Sequence, residues 1–174
     1  MNGIILYKTK YGATKKYADW LQEELSFDCA DLHKFKAERL AEYDTVVLCG
    51  GIYASGISCV PYLKRHRALL SGKRTAIFCV GASPYDETTF RQIRAHNLKD
   101  TFGEIPLFYG RGMWKQSEMK FIDRTLCKLL QKIVAKKDPS TYEPWEQALM
   151  CSVGQDCDWT DRAYIQPVAE WCRS

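Results

Sequence analysis

The sequence predicts a doubly wound α/β fold built on a five-stranded parallel sheet. Three apolar runs, at residues 3–7, 44–50 and 74–81, are continuous rather than alternating, which is typical of strands that helices cover on both faces. Each run ends in a turn that contains Gly or Ser, and a helical pattern follows each turn. Strands and helices that alternate at this spacing indicate parallel strands joined by right-handed crossovers.

The first helix is predicted over residues 14–25, with Thr14 as its N-cap. Its apolar stripe consists of Tyr17, Leu21 and Leu25. Two weaker strands and three further helices continue the alternation: the strands at 28–32 and 105–110, and the helices at 37–43, 60–70 and 87–98. The predicted order is therefore strand then helix, repeated to a fifth strand.

The alternation stops after the fifth strand. A basic amphipathic helix is predicted over residues 116–136, followed by a polar turn with two prolines and a short helix that begins near Trp145. The last helix of the sheet is predicted in "DWTDRAYIQPVAEWC", with Thr160 as its N-cap. We therefore expect one domain over residues 1–174, with a helical insert over residues 112–156.

The composition is that of a soluble globular protein. Of the 174 residues, 46% are apolar and 26% are charged, and the net charge of +4 is too small to indicate nucleic acid as a partner. No run approaches the roughly 18 consecutive apolar residues of a transmembrane helix, and the start lacks the basic segment and cleavage site of a signal peptide. We therefore expect a cytoplasmic protein.

The eight cysteines form no CxxC pair, and the three histidines show no metal-ligand spacing. Cys49 and Cys79 lie inside apolar runs, where a cysteine behaves as a small buried hydrophobe. A thiol count this high suits a reducing interior. We therefore predict neither a metal centre nor a structural disulfide.

The stretch "TKYGAT", residues 9–14, lies between the first strand and the first helix. The N-terminus of a helix has unpaired N–H groups and a positive dipole end, which together bind phosphate. Thr9 and Thr14 add hydroxyl donors, Gly12 permits close backbone approach, and the stretch contains no acid. A phosphate site and a plain N-capped turn both fit these six residues.

The position of this loop in the sheet favours a ligand site. In an open α/β sheet, ligands bind beyond the carboxyl ends of the strands where the strand order reverses, and an order of 2-1-3-4-5 reverses at strand one. The loops after strands three and four, at 50–58 and 81–87, would lie beside it. Each contains a tyrosine among small residues, Tyr53 and Tyr85, which suits the faces of a flat ring. Exposed turn tyrosines are the alternative interpretation.

At this point the sequence resembles the flavodoxins, whose phosphate loop T/S-x-T/Y-G-x-T is matched in full by "TKYGAT". The resemblance covers strands one to five and the last helix, and it implies FMN as the cofactor. By this resemblance the FMN phosphate is held by Thr9, Lys10, Tyr11, Gly12, Ala13 and Thr14. The residues that would flank the isoalloxazine ring are Gly51, Ile52, Tyr53, Ala54, Ser55, Gly56, Ala82, Ser83, Pro84 and Tyr85.

The segment 111–137 is strongly basic, with eight basic and two acidic side chains and hence a net charge of +6. Its predicted apolar stripe consists of Ile122, Leu126, Leu129, Leu130 and Ile133. We expect this stripe to pack on the domain and the basic face to point outward, as a solvated surface or towards an anionic membrane or substrate.

At the carboxyl edge of the sheet, two residues of the same segment are candidates for the site. Arg111 is placed to reach the flavin or a substrate carboxylate, and Trp114 to form a wall of the pocket. The alternatives without a functional role are that Arg111 is solvated and that Trp114 only packs in the core.

The insert also resembles that of menaquinone-dependent protoporphyrinogen IX dehydrogenase, a flavodoxin-fold enzyme. Here "MKFIDRTLCKLLQKI" and "DCDWTDRAYI" carry the resemblance, although the loops over the flavin differ. It implies an FMN oxidoreductase linked to a quinone or porphyrinogen, located in the cytoplasm or at the inner membrane face. The alternatives are an electron carrier that docks on a protein redox partner and, third, a flavin-free binding module. No acid–base constellation identifies a catalytic residue, which a flavin enzyme tolerates.

Overall fold

Five parallel strands form the central sheet of the computed structural model, which describes residues 2–99 and 104–174. The strands of this sheet, in chain order, are β1 (Gly3–Lys8), β2 (Asp28–Asp31), β3 (Thr45–Tyr53), β4 (Gly56–Ile57), β5 (Arg74–Gly81) and β6 (Leu107–Arg111). The order β2-β1-β3-β5-β6 is parallel throughout, and β4 folds back on the end of β3 as an antiparallel hairpin. The predicted fold class and strand order are confirmed, whereas the hairpin was not predicted.

Helices follow β1, the β3–β4 hairpin and β5 as predicted, whereas the helix predicted over 37–43 is a 3₁₀ turn and the basic helix predicted over 116–136 covers only Phe121–Val134. The helices are α1 (Ala13–Leu25), α2 (Val60–Arg65), α3 (Arg67–Leu70), α4 (Glu87–Asn97), α5 (Phe121–Val134), α6 (Pro144–Cys151) and α7 (Gln166–Arg173). Three short 3₁₀ turns cover Ala37–Glu42, Pro139–Thr141 and Arg162–Ile165. The helix predicted over 60–70 is therefore two helices, separated at His66, where the backbone leaves helical geometry with φ −106° and ψ 23°.

The predicted cap of the last helical segment is wrong by one residue. The carboxylate of Asp161, not the hydroxyl of Thr160, accepts the N–H of Ala163 at 2.8 Å. The Thr160 hydroxyl is engaged elsewhere, since it donates to Asp158 at 2.6 Å and accepts from Lys16 at 2.7 Å.

The continuous apolar runs are buried because successive side chains enter different layers. Ile4, Leu48 and Ile77 pack in the layer that contains α2 and α3, whereas Ile5 and Phe78 pack in the layer of α1 and α7. All five side chains are at most 1% exposed. Parallel strands covered on both faces show this pattern.

The two cysteines of these runs are also fully buried. Cys49 and Cys79 are both 0% exposed, as their positions in the apolar runs predict. Burial raises the pKa of both thiols well above the ordinary value, so they remain protonated.

The insert is closed at its base by a two-stranded antiparallel ribbon. Strand β7 (Met113–Trp114) pairs with β8 (Cys157–Asp158), so the two ends of the predicted insert meet. Within it, α6 begins with a capping box between Glu143 and Glu146, and the buried Glu146 also pairs with Lys137.

The prediction that the apolar stripe of the basic helix packs on the domain is wrong, although Lys128 and Lys132 are exposed as the predicted basic face requires. The predicted stripe of α5 faces outward over most of its length: Ile122 is 78% exposed, and Leu126, Leu129 and Ile133 are each more than half exposed. Its buried residues are Gln131 and Val134. On the side that faces the protein, Asp123 pairs with Lys10, and Gln131 donates to the carbonyl of Leu149. In the part of the chain that the structure describes, no helix combines the length and apolarity needed to cross a membrane.

Candidate functional site

A cleft of about 360 Å³ lies at the carboxyl edge of the sheet, where α1 follows β1. Four segments form it: the 9–14 loop, the end of β3, the start of the loop after β5, and the insert. Its lining residues are Thr9, Lys10, Tyr11, Ala13, Thr14, Gly51, Ile52, Tyr53, Ala54, Val80, Ala82, Gly112, Met113, Trp114, Met119, Asp123, Leu126 and Cys127. The volume lies within the range typical of small-molecule sites.

The 9–14 loop turns into α1 at Gly12. This residue is the N-cap, with φ 92° in the left-handed region, and the cap has no side-chain hydrogen bond. The prediction that Thr14 caps the helix is therefore wrong, because Thr14 lies inside the first turn and is only 3% exposed. An added Cβ at Gly12 would meet no atom within 4 Å, so the glycine is required by its φ rather than by crowding.

The first turn of α1 presents backbone donors towards the cleft. The N–H of Gly12 is used by the Thr9 hydroxyl oxygen, at 3.0 Å. The next three N–H groups, those of residues 13–15, have no acceptor within a helix that begins there. These groups and the positive end of the helix dipole make the loop suited to an anion.

The insert brings an acid to this loop. The carboxylate of Asp123, in the first turn of α5, pairs with Lys10 and accepts the hydroxyl of Tyr11. The contact with Lys10, and after it that with Tyr11, holds the pKa of Asp123 below its usual range. The 9–14 stretch contains no acid in sequence, but the folded loop has one beside it.

The β3–β4 hairpin forms the second wall and is under backbone strain. Ala54 and Ser55, at its tip, have φ values of 46° and 66°, which residues other than glycine rarely adopt. The side chain of Asn97 holds the turn from behind: it accepts the N–H of Ile57 at 2.8 Å and donates to the carbonyl of Ser55 at 2.7 Å. The hairpin is therefore fixed by a buried amide of α4.

Tyr53 and Tyr85 have different surroundings. Tyr53 lines the cleft and is 43% exposed, with the ammonium of Lys10 at 5.6 Å from its ring centroid. Tyr85 lies outside the cleft and packs on Phe90 and Tyr109, at centroid distances of 5.4 and 5.8 Å. The structure therefore brings only the first of the two tyrosines to the phosphate loop.

The loop after β5 is shared between the cleft and a smaller cavity of about 200 Å³. Ala82 lines both, whereas Ser83, Pro84 and Tyr85 line only the smaller one. Trp145 of α6 closes this smaller cavity, so the insert contributes to both.

Arg111 supports the loop rather than lining the cleft. Its Nε donates to the carbonyl of Ala82 at 3.0 Å, and its guanidinium lies 4.2 Å from the centroid of the Trp159 ring. Trp114 does line the cleft, and its indole Nε1 is buried without a hydrogen-bond partner. Trp114 thus carries a buried donor for which the described residues provide no acceptor.

Of the seventeen residues predicted to bind the cofactor, ten line the cleft together: Thr9, Lys10, Tyr11, Ala13, Thr14, Gly51, Ile52, Tyr53, Ala54 and Ala82. Gly12, Ser55, Gly56 and Arg111 contribute to the backbone or to loop support. Sequence reasoning missed six insert residues that line the cleft: Gly112, Met113, Met119, Asp123, Leu126 and Cys127. No local signal marks them, because their place depends on how the insert folds back.

Among the residues that the structure describes, no three His, Cys, Asp or Glu side chains lie close enough together to hold a metal ion. The cleft is instead lined by apolar side chains at its centre and by the polar 9–14 loop at one end.

The search of curated proteins found no match. Among solved structures, the chain is similar to the two-electron reduced flavodoxin of Megasphaera elsdenii, with 15% identity, a TM-score of 0.46, and coverage of 62% of this chain and 82% of that one. It is also similar to a WrbA-like flavodoxin of Agrobacterium tumefaciens, with 17% identity, a TM-score of 0.44, and coverage of 71% and 87%.

The comparison with protein-family models covers more of the chain than these two likenesses do. A family model described as "Flavodoxin domain" matches residues 4–141, which is well over half of the chain. The match includes the 9–14 loop, the β3–β4 hairpin, the loop after β5 and most of the insert up to α6. The chain therefore belongs to the flavodoxin domain family.

Proposed function

We propose that the protein is an FMN-dependent oxidoreductase that holds the FMN phosphate on the 9–14 loop. The observation that carries the proposal is that one cleft is lined both by the loop with free N–H groups and by the β3–β4 hairpin and Ala82. A phosphorylated ligand with a flat ring can occupy both parts at once. Membership of the flavodoxin domain family makes FMN the natural candidate.

The residues of the cleft fit such a ligand. The first turn of α1 offers N–H donors to a phosphate, and Lys10 adds a cation at the same end. Ile52 and Met113 offer apolar contacts to a ring, and Trp114 adds an aromatic side chain to the lining. FMN supplies the electron-transfer chemistry, whereas the chain binds it, orients it and excludes water.

Among the described residues that line the cleft, Asp123 is the only acid and therefore the one that opposes a phosphate. Its carboxylate lies beside Lys10 and Tyr11, so the bound phosphate and Asp123 would share Lys10. Lys10 lowers the cost of placing two anions there, because a cation between them favours both charged forms. The loop therefore remains suited to phosphate, with a reduced affinity.

The insert favours an enzyme over a carrier. Met119, Leu126 and Cys127 form an additional wall of the cleft, as a pocket for a second small molecule requires. We propose a quinone or a porphyrinogen as the substrate class, in line with the protoporphyrinogen dehydrogenase resemblance. The second candidate is an electron carrier for an acidic redox protein, which the net charge of +6 in segment 111–137 favours.

A flavin titration followed by single-turnover reactions tests the proposal. FMN added to the purified protein should bind at one site and shift the flavin absorption spectrum. The reduced protein should then be reoxidised by water-soluble quinones faster than by an acidic redox protein. A protein that binds no flavin would overturn the cofactor assignment, whereas FMN binding with rapid transfer only to protein acceptors would establish the carrier.

A further inference from the structure

We propose that α5 docks the protein on an anionic lipid bilayer through an apolar face that the fold leaves uncovered. This surface, the α5 apolar face, consists of Phe121, Ile122, Leu126, Leu129 and Ile133. Their exposed fractions are 83, 78, 55, 54 and 51%. The docking itself does not depend on the flavin, so it goes beyond the proposed function.

Four of the five side chains form one stripe, and Phe121 adjoins it at the first residue of the helix. Ile122, Leu126, Leu129 and Ile133 recur at i, i+4, i+7 and i+11, which places them on one stripe of the helix. The opposite side of α5 is the one that packs on the protein, since Gln131 is 8% exposed and Val134 1%. A single exposed leucine requires no explanation, but a contiguous apolar stripe along a whole helix indicates an interaction surface.

Lysines flank this stripe. Lys128 and Lys132 lie one helix position before Leu129 and Ile133, and Lys136 follows the end of the helix. All three are exposed, and within residues 2–99 and 104–174 none of them forms an ion pair. The only acid of α5, Asp123, is engaged by Lys10 on the cleft side.

A helix with an apolar face and a lysine flank fits the boundary between water and lipid. The apolar side chains enter the acyl region while the lysines contact anionic headgroups, and the helix lies in the plane of the membrane. The 14 residues of α5 are suited to this and not to crossing the bilayer.

The charge also favours a bilayer over a second copy of the chain. A two-fold contact between α5 apolar faces would bring the same lysines of both copies to one interface. With no acid free on α5 to neutralise them, that contact would accumulate positive charge. An anionic surface removes this repulsion.

Docking would place the cleft at the membrane. Leu126 belongs both to the α5 apolar face and to the lining of the cleft. An apolar substrate dissolved in the bilayer could then enter the cleft directly. This consequence rests on the proposed function, whereas the docking can be measured without any flavin.

Vesicle flotation of the full chain tests the proposal, with and without added FMN. The protein should float with phosphatidylcholine vesicles that contain about one-third phosphatidylglycerol, and much less with phosphatidylcholine alone. The triple variant Ile122→Gln, Leu129→Gln and Ile133→Gln should bind at least about tenfold more weakly. It leaves Leu126 in place, so the cleft is unchanged.

The lysines are tested separately. Lys128→Glu with Lys132→Glu should lower vesicle affinity at least about tenfold at low salt, and by less at high salt. Its control is Lys34→Glu with Lys64→Glu, which changes the net charge equally at exposed sites elsewhere. The control for the apolar variant is Leu69→Gln with Val153→Gln, at two exposed apolar positions outside α5.

Binding that the two α5 variants lose and both controls keep would establish the docking face. No flotation of the wild-type chain, or equal flotation of the triple variant, would overturn it. If sedimentation instead showed a dimer that the triple variant abolishes, with no vesicle binding, the face would be a contact between copies. A failed FMN titration would overturn the proposed function and leave this test unaffected.

Discussion

Apolar residues are buried in the central sheet but exposed in helix α5 of the insert. In β1, β3 and β5 the apolar runs are buried, with Ile5, Leu48 and Phe78 each 0% exposed. In α5 a regular apolar stripe is exposed instead, with Ile122 at 78%. The difference shows that a pattern predicts which residues share a face, and that only the neighbours decide whether the face is buried. The sheet has helices on both sides, whereas α5 packs on the protein along the side that carries Gln131 and Val134 and leaves its stripe uncovered.

The largest expected effect is a loss of stability, seen by comparing truncation of a core side chain with truncation of a side chain in the α5 apolar face. Phe78→Ala should lower the free energy of unfolding by about 3–5 kcal/mol, because it opens a cavity between α1 and the sheet. Leu129→Ala should change it by less than about 0.5 kcal/mol, because the side chain is mostly in solvent. Urea denaturation measures both. A large loss for Leu129→Ala would show that the stripe is covered, and the comparison would fail.

The hairpin that walls the cleft should depend on one buried amide. Asn97→Ala removes the three hydrogen bonds to Ser55, Ile57 and Ile93 and should lower the free energy of unfolding by about 1–3 kcal/mol. Hydrogen exchange should be fastest in residues 53–57. His96→Ala, at the exposed neighbour in α4, is the matched control and should have little effect. Equal effects of the two variants would contradict the role of the amide.

Backbone strain at the tip of the same hairpin predicts that one glycine substitution will increase stability. Ser55→Gly should raise the free energy of unfolding by about 1 kcal/mol, because glycine adopts the φ of 66° without the steric cost. Ser26→Gly, at the left-handed C-cap of α1, should give a similar gain at a site remote from the cleft. Thermal melting compares them. A loss of stability in Ser55→Gly would mean that the turn is not strained.

The smallest expected effect concerns Asp123, whose pairing with Lys10 joins the insert to the 9–14 loop of the sheet domain. Asp123→Asn should raise FMN affinity by about two- to fivefold at low salt, because it removes a charge beside the phosphate from a partly exposed pair. Glu118→Gln, in the same segment and paired with Lys115, should leave the affinity unchanged. Fluorescence titration of both variants measures the difference. A decrease in Asp123→Asn would show that the carboxylate contributes to binding.

The pH dependence of this link follows from the pKa of Asp123. Because that pKa lies below the usual range in the folded chain, the contact is intact at neutral pH. It contributes to stability above the unfolded-state pKa, and the contribution is lost as the pH falls through the lowered value. The pair should therefore persist below the pH at which ordinary aspartates titrate.

Most of the sheet could be predicted from the sequence, since continuous apolar runs separated by helical patterns have few other solutions. The 9–14 loop was located for the same reason, because its place depends only on β1 and α1. The rotation of α5 could not be predicted. Asp123 lies far from Lys10 along the chain, and nothing near it marks the contact. The position of Thr14 was misjudged because a glycine with positive φ can cap a helix without any side chain.

Binding of FMN and of riboflavin, compared in one titration, tests the central claim most directly. The two differ only in the phosphate, and two or more charge-assisted hydrogen bonds from the 9–14 loop should make FMN bind at least about a hundredfold tighter. Thr14→Asp should reduce this ratio to near one while riboflavin affinity is kept, because the new carboxylate repels only the phosphate. Equal affinities in the wild-type chain, or a ratio that Thr14→Asp leaves unchanged, would contradict a phosphate site on this loop.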